Sequence, residues 1–188
     1  MVSETNIERE LRFVVDARES KPWRVEATAM AIEQHYLPFS SFVLHGASLN
    51  FAGVHVMDLD EEQQVLWNQQ PEWVARIRKK GDTYIFTSKS YRSADSSFEI
   101  EGVISEPTFH DLRGHASGGG VQKTRYVWPI DGVVWEIDEY EGAFAGFVIA
   151  EVELNIGQEL NSLPEWVGHE ITGIEAFSNR SLAKMTMK

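Results

Sequence analysis

Charged and apolar residues alternate along 7–15, with Glu8, Glu10 and Arg12 on one side and Ile7, Leu11 and Phe13 among the positions opposite. A period of two marks a strand, because successive side chains point to opposite faces. The same pattern predicts strands over 97–103, 122–128, 133–140 and 147–154. It also predicts a hairpin of 74–79 and 82–89 around Gly81. Asp131-Gly132 supplies a turn between two of these segments. The compact apolar segment 28–36 fits a strand or a short helix. Residues 61–70 read as a helix, with Asp58 or Asp60 as cap and Pro71 as stop. Residues 107–120 read as a loop, flexible at Ser117-Gly118-Gly119-Gly120, and 179–184 as a short helix. There is no internal repeat. Many strands joined by short turns predict an antiparallel sandwich or barrel.

Composition narrows the chemistry. With 188 residues, 43% of them hydrophobic, six Trp and ten Phe, the chain can build one packed core, and 1–188 is expected to be a single domain. The absence of cysteine rules out disulfides and thiolate metal sites. Any metal must take oxygen or imidazole ligands, which favours hard ions such as Mg²⁺ or Mn²⁺. Residues 1–12 are polar and no stretch has the roughly 18 apolar residues of a membrane span, so the expected compartment is the cytoplasm. A net charge of −12 argues against duplex nucleic acid as a partner. A small polyanion can still bind if basic residues cluster or cations are added.

The alternating strands carry like charges in i, i+2 pairs. Arg76 and Arg78 flank Ile77, Glu99 and Glu101 flank Ile100, and Lys123 and Arg125 flank Thr124. Glu136 and Asp138 flank Ile137, and Glu151 and Glu153 flank Val152. Lys89 ends its own strand. One such pair is an ordinary wet sheet face. Six strands that each gather charge suggest a site for something of opposite sign, since same-side neighbours about 7 Å apart repel once water is excluded. The eight carboxylates and six cations, Arg12 included, carry a net of −2 on one shared face. Two divalent cations would reverse that sign and admit a triphosphate. A charged lumen also requires the apolar strand faces to point outward, under helices and loops.

These residues resemble the CYTH superfamily, the triphosphate tunnel metalloenzymes. Glu8-Arg9-Glu10-Leu11-Arg12 resembles the family's opening ExExK strand, and 31–37 resembles its IxQxYL segment. Arg76-Ile77-Arg78, Gly81 and Thr87-Ser88-Lys89 are similar to its RxR…G…TxK hairpin, and Lys123-Thr124-Arg125-Tyr126 to its KTRY. The strands around Glu99/Glu101, Glu136/Asp138 and Glu151/Glu153 resemble its later acidic strands, and Pro164-Glu165-Trp166 its tail. The resemblance implies a mainly β (α+β) fold, an eight-stranded antiparallel closed tunnel β-barrel with flanking helices. It implies metal-dependent hydrolysis of a triphosphate, with Mg²⁺ or Mn²⁺, two per site. Glu8, Glu10, Glu151 and Glu153 match its metal-binding carboxylates. Glu99, Glu101, Glu136 and Asp138 match residues placing a second metal, its water or the cations. Arg12, Arg76, Arg78, Lys89, Lys123 and Arg125 match its phosphate-binding cations. Glu10, Lys123, Arg125 and Asp138 are the expected catalytic group.

Two features depart from the family. Arg12 replaces a lysine, keeping the charge but adding bulk and a fork that does not deprotonate. The segment 38–73 is longer than the link expected in small bacterial members, long enough to cap a tunnel mouth or mediate contacts. The same residues leave open a class IV-type adenylyl cyclase, a non-catalytic nucleotide or polyphosphate binder, and a homodimer. The histidines at 35, 45, 55, 110, 115 and 169 lack compact metal spacing. The 117–120 run lacks the Lys-Ser/Thr of a P-loop. The resemblance places Tyr36 near substrate, and a packed aromatic fits that position equally.

Overall fold

The computed structural model describes residues 7–186 except 17, 19, 156 and 161, and the Glu8 side chain is also outside the described part. In chain order, β1 (Ile7–Val15) and the single turn α1 (Trp23–Glu26) precede β2 (Thr28–Leu37). Then come β3 (Phe42–His45), β4 (Ser48–Phe51), β5 (Val54–Asp58) and α2 (Glu61–Gln69). The central hairpin is β6 (Val74–Lys80) with β7 (Thr83–Tyr91), followed by β8 (Ser96–Val103) and α3 (Glu106–Arg113). The last part holds β9 (Ser117–Ile130), β10 (Val133–Tyr140), β11 (Val148–Glu153), β12 (Val167–Glu170) and α4 (Asn179–Met185).

Eight strands close into an antiparallel barrel in the order β11-β10-β9-β2-β6-β7-β8-β1, with β1 returning to pair β11. Closure removes the open edges that an eight-stranded sheet would otherwise expose. β12 extends the far half of β1, placing Glu170 opposite Phe13. The β9–β10 turn has positive φ at both central residues, Asp131 (φ 51) and Gly132 (φ 80), the arrangement of a type I′ hairpin.

The apolar strand faces do point outward, and two shells cover them. Ile77, Phe86 and Ile100 on β6–β8 pack under Leu49, Phe51 and Val56 of the β3–β5 sheet, Leu66 and Trp67 of α2, and Phe109 and Leu112 of α3. The segment 38–73 thus clads the outer barrel wall. Phe13, Trp135, Ile137 and Val152 pack under Trp23 and Trp166 on the other side. Burying each such side chain contributes roughly 1.5–3 kcal/mol.

The structure decides one open expectation and changes two. The segment 28–36 is strand throughout. The expected loop 107–120 instead begins as helix α3, because Ser105 accepts from the Thr108 N–H, Pro107 occupies the first turn, and Phe109 and Leu112 supply a buried face. The expected flexible run 117–120 forms the start of β9. Gly120 has φ +77, where the β2–β9 register shifts between Gln34 and Tyr36. A Cβ there would lie 2.6 Å from His35 Nδ1 and 2.9 Å from the Gln34 carbonyl. Glycine is needed at this bulge for both reasons.

Candidate functional site

Directly opposite residues of an antiparallel pair share a face. Glu10 lies opposite Glu153 and Arg12 opposite Glu151, while Glu136 also lies opposite Glu151. Asp138 faces Arg125, and Lys123 faces Tyr140. Around the far wall Gln34 faces Arg78, Tyr36 faces Arg76, Arg76 faces Thr87, Thr87 faces Glu101 and Lys89 faces Glu99. Register therefore brings the whole predicted charged set onto the barrel interior, apart from Glu8, whose side chain lies outside the described residues.

Ion pairs knit the set together. Arg125 reaches Asp138 at 2.6 Å and Glu151 at 2.6 Å, and also contacts Glu136. Lys123 Nζ donates to Asp138 Oδ2. Arg12 Nε donates to Glu151 at 2.9 Å and lies 3.4 Å from Glu10. Lys89 pairs with Glu99 at 3.0 Å, and Arg78 donates to Glu101 at 2.6 Å and to Thr87 at 3.3 Å. Arg125 is enclosed by three carboxylates and serves first to hold them. The buried Arg78 Nε has no hydrogen-bond partner among the described residues.

Charge within the barrel is unevenly compensated. Burial, then the Glu151 charge, push the Glu10 carboxyl above its ordinary 4.5, against Lys89, Arg12 and Arg125. Burial, then Glu99, do the same to Glu153. Burial also works against Glu151, but Arg12, Arg125 and Lys123 outweigh it and hold that carboxyl well below 4.5. Burial, then Arg76, make the Arg78 charge harder to keep. For Lys123, burial and then Arg125 prevail over Asp138 and Glu151, and the ammonium is pushed down to about 8. Its Nζ also lies 5.6 Å from the Tyr140 ring centroid.

Among the described residues, no three His, Asp or Glu side chains yet converge on a point that would hold a metal ion. Asp138 and Glu151 instead point at arginine and lysine partners. The donor set still fits a hard divalent cation. It consists of carboxylate oxygens, and the Glu10/Glu153 opposition places like charges side by side, whereas Arg125 already lies between Glu136 and Glu151. Burial first, and a neighbouring carboxylate second, raise the Glu10 and Glu153 carboxyls, so a bound cation would favour their charged forms.

The barrel ends differ. At one end the interior residues Val14, Tyr36, Val121, Tyr140 and Ile149 pack with Ile171 and with Leu182 and Ala183 of α4, which seals it. Tyr140 Oη donates to Asn179 Oδ1 of α4 at 2.7 Å. The other end carries the exposed Glu101, Glu153 and Val103. Interior positions missed by sequence reasoning are neutral. Gln34 is fully buried and donates to Tyr36 Oη at 3.0 Å, Thr87 donates to Glu101 at 2.7 Å, and Tyr140 closes over Lys123. The available signal was spacing: Gln34 lies two residues before Tyr36, Thr87 two before Lys89, and Tyr140 two after Asp138.

A charged lumen inside a closed eight-stranded barrel defines a class of tunnel proteins. The CYTH domain family model matches residues 68–184, and the chain belongs to that family. It is 38% identical over 114 residues to the inorganic triphosphatase of Acetivibrio thermocellus, a match covering 60% of this chain and 73% of the relative. Its fold is shared with a solved structure of the inorganic triphosphatase NE1496, with TM-score 0.57 and 24% identity over 100% of this chain and 99% of the other. A second solved structure, described as the hypothetical protein NE1496, gives TM-score 0.55 and 24% identity over 94% of this chain and 97% of that one. The family match begins inside α2, so Glu10 and Arg12 of β1 join the site through strand register. No helix among the described residues is long and apolar enough to cross a membrane.

Proposed function

We propose that this protein hydrolyses a triphosphate in the barrel lumen with a divalent cation, Mg²⁺ or Mn²⁺, two per site. One observation carries the reading: Glu10 opposes Glu153 and Arg76 lies beside Arg78, within one closed barrel. Opposed like charges destabilise a sheet unless a counter-charge binds between them. Divalent cations answer the carboxylates and phosphate oxygens answer the arginines. The relative named inorganic triphosphatase supports the same chemistry.

In this reading Glu8, Glu10, Glu151 and Glu153 hold the cation, and Glu99, Glu101, Glu136 and Asp138 complete a second position or orient the cations. When bound, the metal supplies Lewis-acid polarisation and a more acidic water. Arg76, Arg78 and Lys89 hold phosphate oxygens, and Arg125 fixes the carboxylates around it. Lys123, shifted to about 8, takes the proton from the attacking water at Nζ, with Asp138 orienting it.

The test is a substrate panel of tripolyphosphate, ATP and thiamine triphosphate, followed by phosphate release and by cyclic AMP. Orthophosphate from at least one substrate without cyclic AMP is the expected outcome. Cyclic AMP as the main product would replace hydrolysis by cyclisation. Tight calorimetric binding without turnover on any of the three would make the protein a binder.

A further inference from the structure

The contacts of Arg12 separate the two ends of its fork. Nε donates to Glu151 Oε1 at 2.9 Å, while Nη2 donates to the backbone carbonyl of Phe177 at 3.3 Å. Phe177 immediately precedes Ser178, which caps α4. The backbone of Arg12 is tied to the same tail. Its N–H donates to Thr172 Oγ1 at 3.0 Å, and its carbonyl accepts from the Ile171 N–H at 2.8 Å. Strand β1, the tail 171–177 and a lumen carboxylate thus meet at one residue. The Arg12 side chain is only 12% exposed and the Glu151 side chain 7%, so water cannot readily replace these bonds.

A lysine could not keep the arrangement. It ends one bond short of the Nη2 position, and its donors sit on a single atom. Placed to bond Glu151, it would leave the Phe177 carbonyl, which is already at the long limit of a hydrogen bond.

We propose that Arg12 is a positioning residue: its fork latches the tail and α4, the seal of the barrel, onto Glu151. Seating of the seal and aim of this carboxylate are then one event. Only the importance of Glu151 to chemistry rests on the triphosphatase reading; the latch rests on the contacts themselves.

Hydrogen exchange and kinetics on Arg12→Lys test it. The charge beside Glu151 is kept, yet amides of 179–185 should exchange about tenfold faster or more, the effect of losing one charge-assisted hydrogen bond, while β6 to β9 amides stay protected. On tripolyphosphate the variant should lose kcat and hold KM within about twofold. Combining it with Leu182→Ala, which loosens α4 independently, should give less than the product of the single effects. Unchanged α4 exchange in Arg12→Lys overturns the latch. So does a large KM increase with α4 still protected, the signature of a direct phosphate ligand. Should Arg12→Lys fail to fold, Thr172→Val loosens the tail side of the same junction, and no acceleration confined to 171–185 overturns the proposal. If the wild-type protein turns over no triphosphate, the functional reading falls while the exchange result still decides the latch.

Discussion

Lys123 is almost wholly enclosed, with the Asp138 carboxylate on one side and the Tyr140 ring on another. Burial and the neighbouring Arg125 lower its pKa to about 8. A general base of that strength has a clear kinetic signature. For wild-type protein, kcat/KM should rise through about pH 8, because that ratio reports groups of the free enzyme. Lys123→Arg keeps the charge but does not deprotonate, so it should flatten the rise and cost about 10²–10⁴-fold at alkaline pH. A wild-type profile flat from about pH 7 to about pH 9 would remove Lys123 from this role. Charged interior positions such as Lys123 and Glu151 were legible in the sequence, because charge on a strand face is conspicuous and the family motifs fall on them. Their partners were not. That Arg125 gathers Glu136, Asp138 and Glu151 depends on the β9–β10–β11 register, which no single strand encodes. Gln34 and Thr87 fell inside the matched segments yet drew no role, because a neutral polar residue looks the same on a wet face as in a lumen.

Strand periodicity gave most of the barrel, since eight short alternating segments can hide their apolar faces only by wrapping under a cover. Helix α2 was also legible: Asp60 Oδ1 accepts from the Gln63 N–H and Gln63 Oε1 accepts from the Asp60 N–H, a complete capping box. Asp60→Ala should lower stability by about 1 kcal/mol in denaturant unfolding, with activity retained. The 107–120 region misled at its glycine run. A glycine run suggests a flexible linker, yet here it lets β9 pass close to His35 at a bulge. Gly120→Ala should therefore destabilise by about 1–3 kcal/mol, from strain at positive φ and from the His35 contact. Stability equal to wild type would mean the bulge can relax. The β3–β5 strands of 42–58 were missed because each is only four or five residues, too short for a period to register.

For the whole molecule, a net charge of −12 and an acidic lumen make stability depend on pH and on cations together. Glu10 and Glu153 have folded pKa values above 4.5. A carboxyl shifted upward favours the fold while protonated, so its contribution is complete below 4.5 and is lost as pH rises through the raised value. Glu151 is shifted downward, so its contribution is present above 4.5 and is lost as pH falls through the lowered value. A divalent cation at Glu10 and Glu153 replaces the missing protons. Mg²⁺ or Mn²⁺ should therefore raise Tm at neutral pH, and the increment should shrink as pH falls toward about 4.5, read by thermal unfolding with and without metal. The lumen should accept a triphosphate only with metal. The direct measurement is the initial rate of orthophosphate release from tripolyphosphate, in Mn²⁺ or Mg²⁺ and again after excess EDTA, for wild type and Glu151→Gln. Turnover in metal, its loss in EDTA, recovery on re-addition and a severe loss in Glu151→Gln are the expected results. Equal rates with and without EDTA, or an unimpaired Glu151→Gln, would contradict metal-dependent hydrolysis.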